Sequence, residues 1–356
     1  MAAMDKGSAA QGVIYLAACA VNGVVPDARL VGDMDLPLVL GVARDHMLAA
    51  AAAMALRSAG LDDPDFARAE ASAVRRAVVM GAERDELLSR MDSAGIWHLP
   101  MKGIVIQRLY PALGMREMSD NDVLFDASRA ADVREIMEGM GFRTESFGRW
   151  NNDVYYKEPL CNFEMHRLLF LPIDGQPVYD YYRDAERLLV PDGDGSFGMH
   201  LSDEDFYVHM VAHEHKHYAY AGTGLRSLLD VYVWVRAKGG ALDWGRVSGE
   251  LAKMGLAEFE ARNRRLAMRL FGGAELSAED EEMLGYFVSS GTYGTTAQGV
   301  QNMVAQRGRL GFLAWRAFPS YETMAILYPV LGKAPILLPV CWAARIASAL
   351  AAKCIR

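Results

Sequence analysis

Every run in this chain that reads as a β-strand falls between Gly95 and about residue 170, and helical periodicity fills both flanks. "IWHLPMKG" is a short apolar strand, "IVIQRLYP" a helix closed by Pro111, and "MSDNDVLFD" a second strand. "SRAADVREIMEGMG" follows as a helix, with Ser128 as its N-cap and Gly141 as its stop. "FRTESF", "DVYYKE" and "NFEMHRLLF" are three further strands in succession. Helix–strand alternation followed by consecutive strands implies a mixed sheet in a small α/β or α+β core. With helices on both flanks, the chain as a whole is α+β.

The pattern divides the 356 residues into four parts: a helical segment over 1–92, the α/β core over 93–200, a helical domain over 201–306, and a tail over 307–356. "DHMLAAAAAMALRSAGL" is rich in strong helix formers and ends at a glycine. The earlier run "VIYLAACAV" reads as the first buried helix, because Asp5 and Lys6 deny it the positive flank of a cleaved leader. "DEDFYVHMVAHEHKHYAYAG" and "GLRSLLDVYVWVRAKGG" are amphipathic helices, and "SSGTYGTTAQG" is a loop.

At 52% apolar residues the chain can bury real cores. A net charge of −8 argues against binding duplex nucleic acid, which needs a basic face. Cys19, Cys161, Cys341 and Cys354 lie far apart with no C-x-x-C pair, the usage of reduced thiols in a cytoplasmic protein.

Asp120 and Asp122 stand one residue apart, directly before the apolar run Val123-Leu124-Phe125. On a strand they face the same way and repel one another. A hard divalent cation such as Mg²⁺ (or Mn²⁺) would relieve that repulsion, since it takes oxygen ligands from a carboxylate or two plus substrate phosphates. Taken alone, the pair reads equally as a polar strand end. Upstream, Lys102-Gly103 lies between a strand and a helix, where side chain and backbone N–H can meet phosphate, and Arg116 adds a second cation. Downstream, Glu164 and His166 share one face of a strand, and the neighbours Phe163, Met165 and Leu168 point to a buried glutamate that needs a partner.

The succession of Lys102-Gly103, Tyr110-Pro111, Arg116, Asp120-x-Asp122, Gly141-Phe142 and Glu164-x-His166 resembles the nucleotidyltransferase superfamily. It is most similar to a bacterial nucleotidyltransferase-like family in which Lys-Gly replaces the usual Gly-Ser. "HEHKH", "GLRSLLD" and "FPSYETMAILYP" resemble that family too, so the resemblance spans about residues 35 to 350. It implies a core like that of DNA polymerase β. Asp120, Asp122 and Glu164 would be the catalytic carboxylates holding one or two Mg²⁺ ions. Lys102, Gly103 and Arg116 would bind the triphosphate of an NTP whose nucleotide passes to an acceptor hydroxyl. Two residues depart from the pattern: Asn121, where an aliphatic residue is usual, and Lys102, where a small one is common. They keep open a catalytically idle nucleotide-binding or adaptor protein, which binds nucleotide without turning it over.

A rival motif lies further on. His213-Glu214-His215-Lys216-His217 is a literal H-E-x-x-H, which on a helix puts His213 and His217 on one face for zinc, with Glu214 as a base for hydrolysis. No histidine follows His217, so a third histidine ligand downstream is excluded. The other readings make His213 and His217 cleft-lining residues or contacts to nucleotide or acceptor, with His166 as a further acceptor or cleft residue. Arg226 and Asp230, four apart, read either as an intrahelical ion pair or as acceptor contacts from the second domain.

The tail differs in kind. From Arg307 onward seven basic residues face one acid, Glu322, a net +6 in a chain whose total is −8. Prolines and Lys333 interrupt its apolar runs, so a spanning helix is not expected. It reads either as a segment packed on the helical domain or as one lying on an anionic membrane surface, with Trp315 and Trp342 at the headgroups.

Overall fold

The structure is a computed structural model and describes residues 6–354 apart from Asp194, Tyr293 and Thr295. Asp5, Arg356 and the loop residues Tyr293 and Thr295 therefore lie outside the described residues. Five helices open the chain: α1 (Lys6–Asn22), α2 (Ala28–Gly32), α3 (Leu36–Asp45), α4 (Ala49–Ser58) and α5 (Pro64–Ser93). Val13, Leu16 and Ala17 of the "VIYLAACAV" run are fully buried in α1. The alanines of α4 let neighbouring helices approach closely, and Ala49 to Ala53 are all buried. Asp63 caps α5 by accepting from the N–H groups of Asp65 and Phe66, with Pro64 at the first helical position.

Five strands follow: β1 (His98–Pro100), β2 (Asn121–Phe125), β3 (Arg143–Ser146), β4 (Asn152–Lys157) and β5 (Cys161–His166). They form one mixed sheet in the order β1-β2-β5-β4-β3, in which only β2 and β5 run parallel. The short helix α6 (Gly103–Ile106) joins β1 to β2, and α7 (Ala130–Gly139) joins β2 to β3. The N-cap expected at Ser128 does not form: α7 follows Arg129 without a side-chain cap, and Asp126 caps the turn before it. Its Oδ1 accepts from both Ser128 N–H and Ser128 Oγ–H, and a 3₁₀ turn over Ala127–Arg129 precedes α7.

The two faces of β2 point into different cores. Val123 and Phe125 pack with Met80, Leu87 and Met91 of α5 and with Val133 and Met137 of α7. Leu124, on the other face, belongs to a larger core with Tyr110, Leu169 and Phe170. That larger core holds α1, α3 and α4 together with α9 (Asp203–Tyr220), α10 (Leu225–Lys238), α11 (Trp244–Lys253), α12 (Ala257–Gly272) and α13 (Ala278–Ser290), after the short α8 (Gln176–Tyr182). Helices from both ends of the family-like region thus share one body set against a single face of the sheet. Cys19, Cys161 and Cys341 are buried and free.

The chain ends in an arm of α14 (Thr296–Ala317, bent at Gly308), α15 (Tyr321–Leu327) and α16 (Leu338–Cys354). Its own small core is Met324, Leu331 and Cys341.

Candidate active site

The sheet register brings the acidic residues together. Asp122 on β2 is aligned with Glu164 on β5, and Leu124 with His166. Partners in register on parallel strands share a face, so Asp122, Glu164 and His166 project to the side opposite Val123. Two adjacent carboxylates repel unless something offsets them. Here Lys102 Nζ donates to Asp122 Oδ1 at 2.6 Å, and His166 Nε2 meets the same oxygen at 2.8 Å. His166 Nε2 also lies 3.6 Å from Glu164 Oε2, which accepts from Asn152 Nδ2 at 2.8 Å. Glu164 is half-buried rather than buried as expected, because only its neighbours Phe163 and Met165 face the α5–α7 core.

These charges set one another's protonation. Burial alone would raise the Asp122 carboxyl, but the Lys102 ammonium and the His166 hydrogen bond outweigh it and hold the group well below the carboxylate range. Asp120 is pushed up to about 7, first by burial and then by the charge of Asp122. Burial would lower the Lys102 ammonium, yet the facing Asp122 and Asp120 raise it overall. Asn121 points the other way, fully buried, and donates from Nδ2 to the carbonyl of Met80 at 3.1 Å. That bond ties β2 to α5 and accounts for an amide at a position where an aliphatic side chain is usual.

Lys102 is held in a strained backbone conformation, with φ +49° and ψ −120°, a region that a side chain with a Cβ rarely occupies. The next residue must be glycine for a different reason. A Cβ on Gly103 would run into the Arg116 guanidinium and lie 3.0 Å from Met118 Sδ. Arg116 itself is committed: its Nε and one terminal nitrogen each donate to Asp230 at 2.8 Å, and its other terminal nitrogen meets Met118 Sδ at 3.1 Å. Tyr110 OH donates to Asp230 Oδ1 at 2.8 Å, so the carboxylate of α10 is fixed by two residues of the sheet domain. The intrahelical Arg226–Asp230 pair expected from spacing does not form. Arg226 instead donates to the Glu117 carbonyl at 3.0 Å and reaches Met47 Sδ at 2.9 Å.

All eleven residues singled out from sequence border one cavity of about 460 Å³ between the sheet and the helical body: Lys102, Gly103, Arg116, Asp120, Asp122, Glu164, His166, His213, His217, Arg226 and Asp230. His213 and His217 enter from α9 with their Nε2 atoms 3.2 Å apart. Both are kept neutral, His217 down to about 4, by burial and then by the Lys102 charge. Glu214, the base of the zinc reading, is held by Asn263 Nδ2 at 2.7 Å. Sequence reasoning missed Asn152, which fixes Glu164, and Tyr110 as the second clamp on Asp230. Asn152 owes its place to the β4–β5 register, which aligns it with His166 and which no local pattern announces.

A family model described as "Uncharacterised nucleotidyltransferase" matches residues 32–272, about two thirds of the chain. The chain belongs to that family. Its fold is the nucleotidyltransferase-like α+β arrangement that the motif order implied. Among solved structures it is similar to an antigenic nucleotidyltransferase-like protein from Paracoccidioides brasiliensis, at 14% identity and a TM-score of 0.27, over 62% of this chain and 95% of that one. No curated protein matches. In this chain, one set of three possible metal ligands occurs among the described residues: atoms of Asp122, Glu164 and His166, all within 4.8 Å of one another. Two carboxylates and an imidazole make a donor set that fits a divalent cation. Asp120, expected in the set where His166 stands, lines the same cavity but falls outside that group. Among the described residues the paired histidines of α9 do not assemble three ligands.

Proposed function

We propose that this protein transfers a nucleoside monophosphate from an NTP to an acceptor hydroxyl, with release of pyrophosphate, at the cleft between sheet and helical body. The observation that carries the reading is the in-register Asp122–Glu164 pair with His166 beside it, in a chain of this family. Asp122, Glu164 and His166 would hold Mg²⁺ or Mn²⁺, with Asp120 joining them once the cation offsets its repulsion from Asp122. Bound there, the cation supplies Lewis-acid stabilisation of the charge that develops on the phosphates. Lys102, freed from Asp122, donates to the triphosphate, and Gly103 keeps the adjacent backbone open to it. The acceptor oxygen bonds to the α-phosphorus, the bond to pyrophosphate breaks, and the acceptor proton passes to a carboxylate of the cleft. Arg116 and Asp230 act through each other as a strut between the two halves of the cleft rather than as phosphate ligands. His213, His217 and Arg226 line the side of the cleft open to the acceptor.

A second reading, nucleotide binding without turnover, draws on one observation: Lys102 Nζ sits on the Asp122 oxygen that a cation would share. Thermal unfolding with each NTP, with and without Mg²⁺, tests the site. A ligand at a hundred times its dissociation constant adds about 2.7 kcal/mol, enough to move the midpoint. The expected result is a metal-dependent shift that Asp122→Asn and Glu164→Gln abolish; no shift with any NTP would refute the nucleotide site. Pyrophosphate release then separates turnover from binding alone.

A further inference from the structure

The C-terminal arm is built unlike the rest of the molecule. Nine of the nineteen large apolar side chains exposed among the described residues lie between Val300 and Val340. Leu310 is 83% exposed and Ile336 87%. On α14, Leu310, Leu313 and Ala314 fall on one helix face, and Arg309 and Arg316 stand beside them. On α16, Val340, Ala343, Ala344 and Ala347 make a second exposed stripe at the same spacing. The arm's small core of Met324, Leu331 and Cys341 leaves these faces outside.

Charge selects what would cover them. The last fifty residues carry +6, so the preceding 306 carry −14. A second copy meeting this face through a twofold contact would set basic arm against basic arm, which is repulsive. An anionic surface attracts the arm and repels the remaining molecule, so it takes the arm alone. No described helix is long and apolar enough to cross a membrane, which leaves contact at the surface. The two tryptophans expected at headgroups are occupied within the arm. Trp342 Nε1 donates to the Pro319 carbonyl at 2.9 Å, and Trp315 lies beneath Arg307.

We propose that the C-terminal arm docks this protein on an anionic lipid bilayer, with Leu310, Leu313, Phe318, Ile336 and Val340 entering the interface and Arg309, Arg316 and Lys333 meeting headgroup phosphates. The arm is fixed to the helix that lines the cleft. Asn302 Nδ2 donates toward the carbonyls of Tyr218, Ala219 and Tyr220 at 3.3–3.4 Å, and Tyr286 OH joins it at 2.6 Å. Docking therefore holds α9 near the surface, whatever chemistry the cleft performs.

The test is flotation of the full chain with phosphatidylcholine vesicles, with and without phosphatidylglycerol. Flotation is expected only with phosphatidylglycerol, and it should fall as salt is raised. Arg309→Glu and Lys333→Glu should each weaken binding by at least about fivefold. Leu310→Gln with Ile336→Gln should abolish flotation while leaving the unfolding midpoint unchanged, because both side chains are already exposed. No flotation at low salt would overturn the proposal, and so would undiminished flotation of the Leu310→Gln/Ile336→Gln variant. Self-association that this variant removes, with no vesicle binding by the wild type, would assign the face to a second copy instead.

Discussion

Replacing Arg116 by methionine removes the cation that two elements of the sheet domain and one helix are built around. Arg116 and Asp230 are 8% and 7% exposed and share two hydrogen bonds of 2.8 Å. Arg116→Met leaves Asp230 buried and negative, with Tyr110 OH as its remaining donor. Breaking a buried pair from one side costs roughly 3–5 kcal/mol. With an unfolding entropy of about 2.1 cal/mol/K per residue, this chain loses about 0.75 kcal/mol of stability per degree near its midpoint, so the midpoint should fall by about 4–7 °C. Urea unfolding of Arg116→Met, Asp230→Asn and the double variant forms the appropriate cycle. The double variant should recover much of the loss, because the remaining neutral amide still accepts from Tyr110, giving a coupling above about 1.5 kcal/mol. Additive losses, or a single-variant loss below about 1 kcal/mol, would show that the pair is not a strut.

Three other outcomes follow from the same geometry. Lys102→Gly and Lys102→Ala both lose the ion pair to Asp122, but only glycine relaxes the φ of +49°. The glycine variant should therefore be the more stable by about 1 kcal/mol in chemical unfolding, and equal stabilities would remove the strain argument. Gly103→Ala should destabilise by about 1–3 kcal/mol, because its Cβ meets the guanidinium that Asp230 holds in place; a neutral result would mean that Arg116 can move. Burial raises the Glu214 carboxyl from 4.5 to about 7, so the folded state holds its proton over a range where the unfolded chain releases it. Its contribution is therefore unfavourable above that range, and stability should fall by about 2–3 kcal/mol as pH rises from 4.5 to 7. Glu214→Gln should flatten this slope, and an unchanged pH profile would contradict the assignment.

Period-two alternation was enough to put Asp122 opposite Asn121 and Glu164 beside His166, because side-chain direction along a strand is a local property. The five strands of the main sheet and the helical flanks were legible for the same reason, but the two-residue strands Val190–Pro191 and Met199–His200, which pair with each other, were too short to show a period. Partnerships that depend on which surfaces meet were not legible. Asp230 was read against Arg226 four residues away, yet its partner Arg116 lies 114 positions off and reaches it only when α10 packs on the sheet domain. The share of Asn152 in holding Glu164 required the β4–β5 register. The helix start expected after Ser128 comes one residue later, at Ala130 and without a side-chain cap, within the margin at which helix ends are ordinarily misread. The common core of α1–α4 with α9–α13 was likewise invisible, since an apolar helix face does not declare its partner.

If the proposed site is right, the sheet carboxylates, and not the histidines of α9, hold the metal. Titrating Mn²⁺ into the full chain and following free Mn²⁺ by electron paramagnetic resonance tests it without needing an acceptor or turnover. The expected result is specific Mn²⁺ binding that Mg²⁺ displaces, that Asp122→Asn and Glu164→Gln abolish, and that His213→Ala with His217→Ala leaves intact. Binding that survives Asp122→Asn and disappears with the two histidines would contradict it.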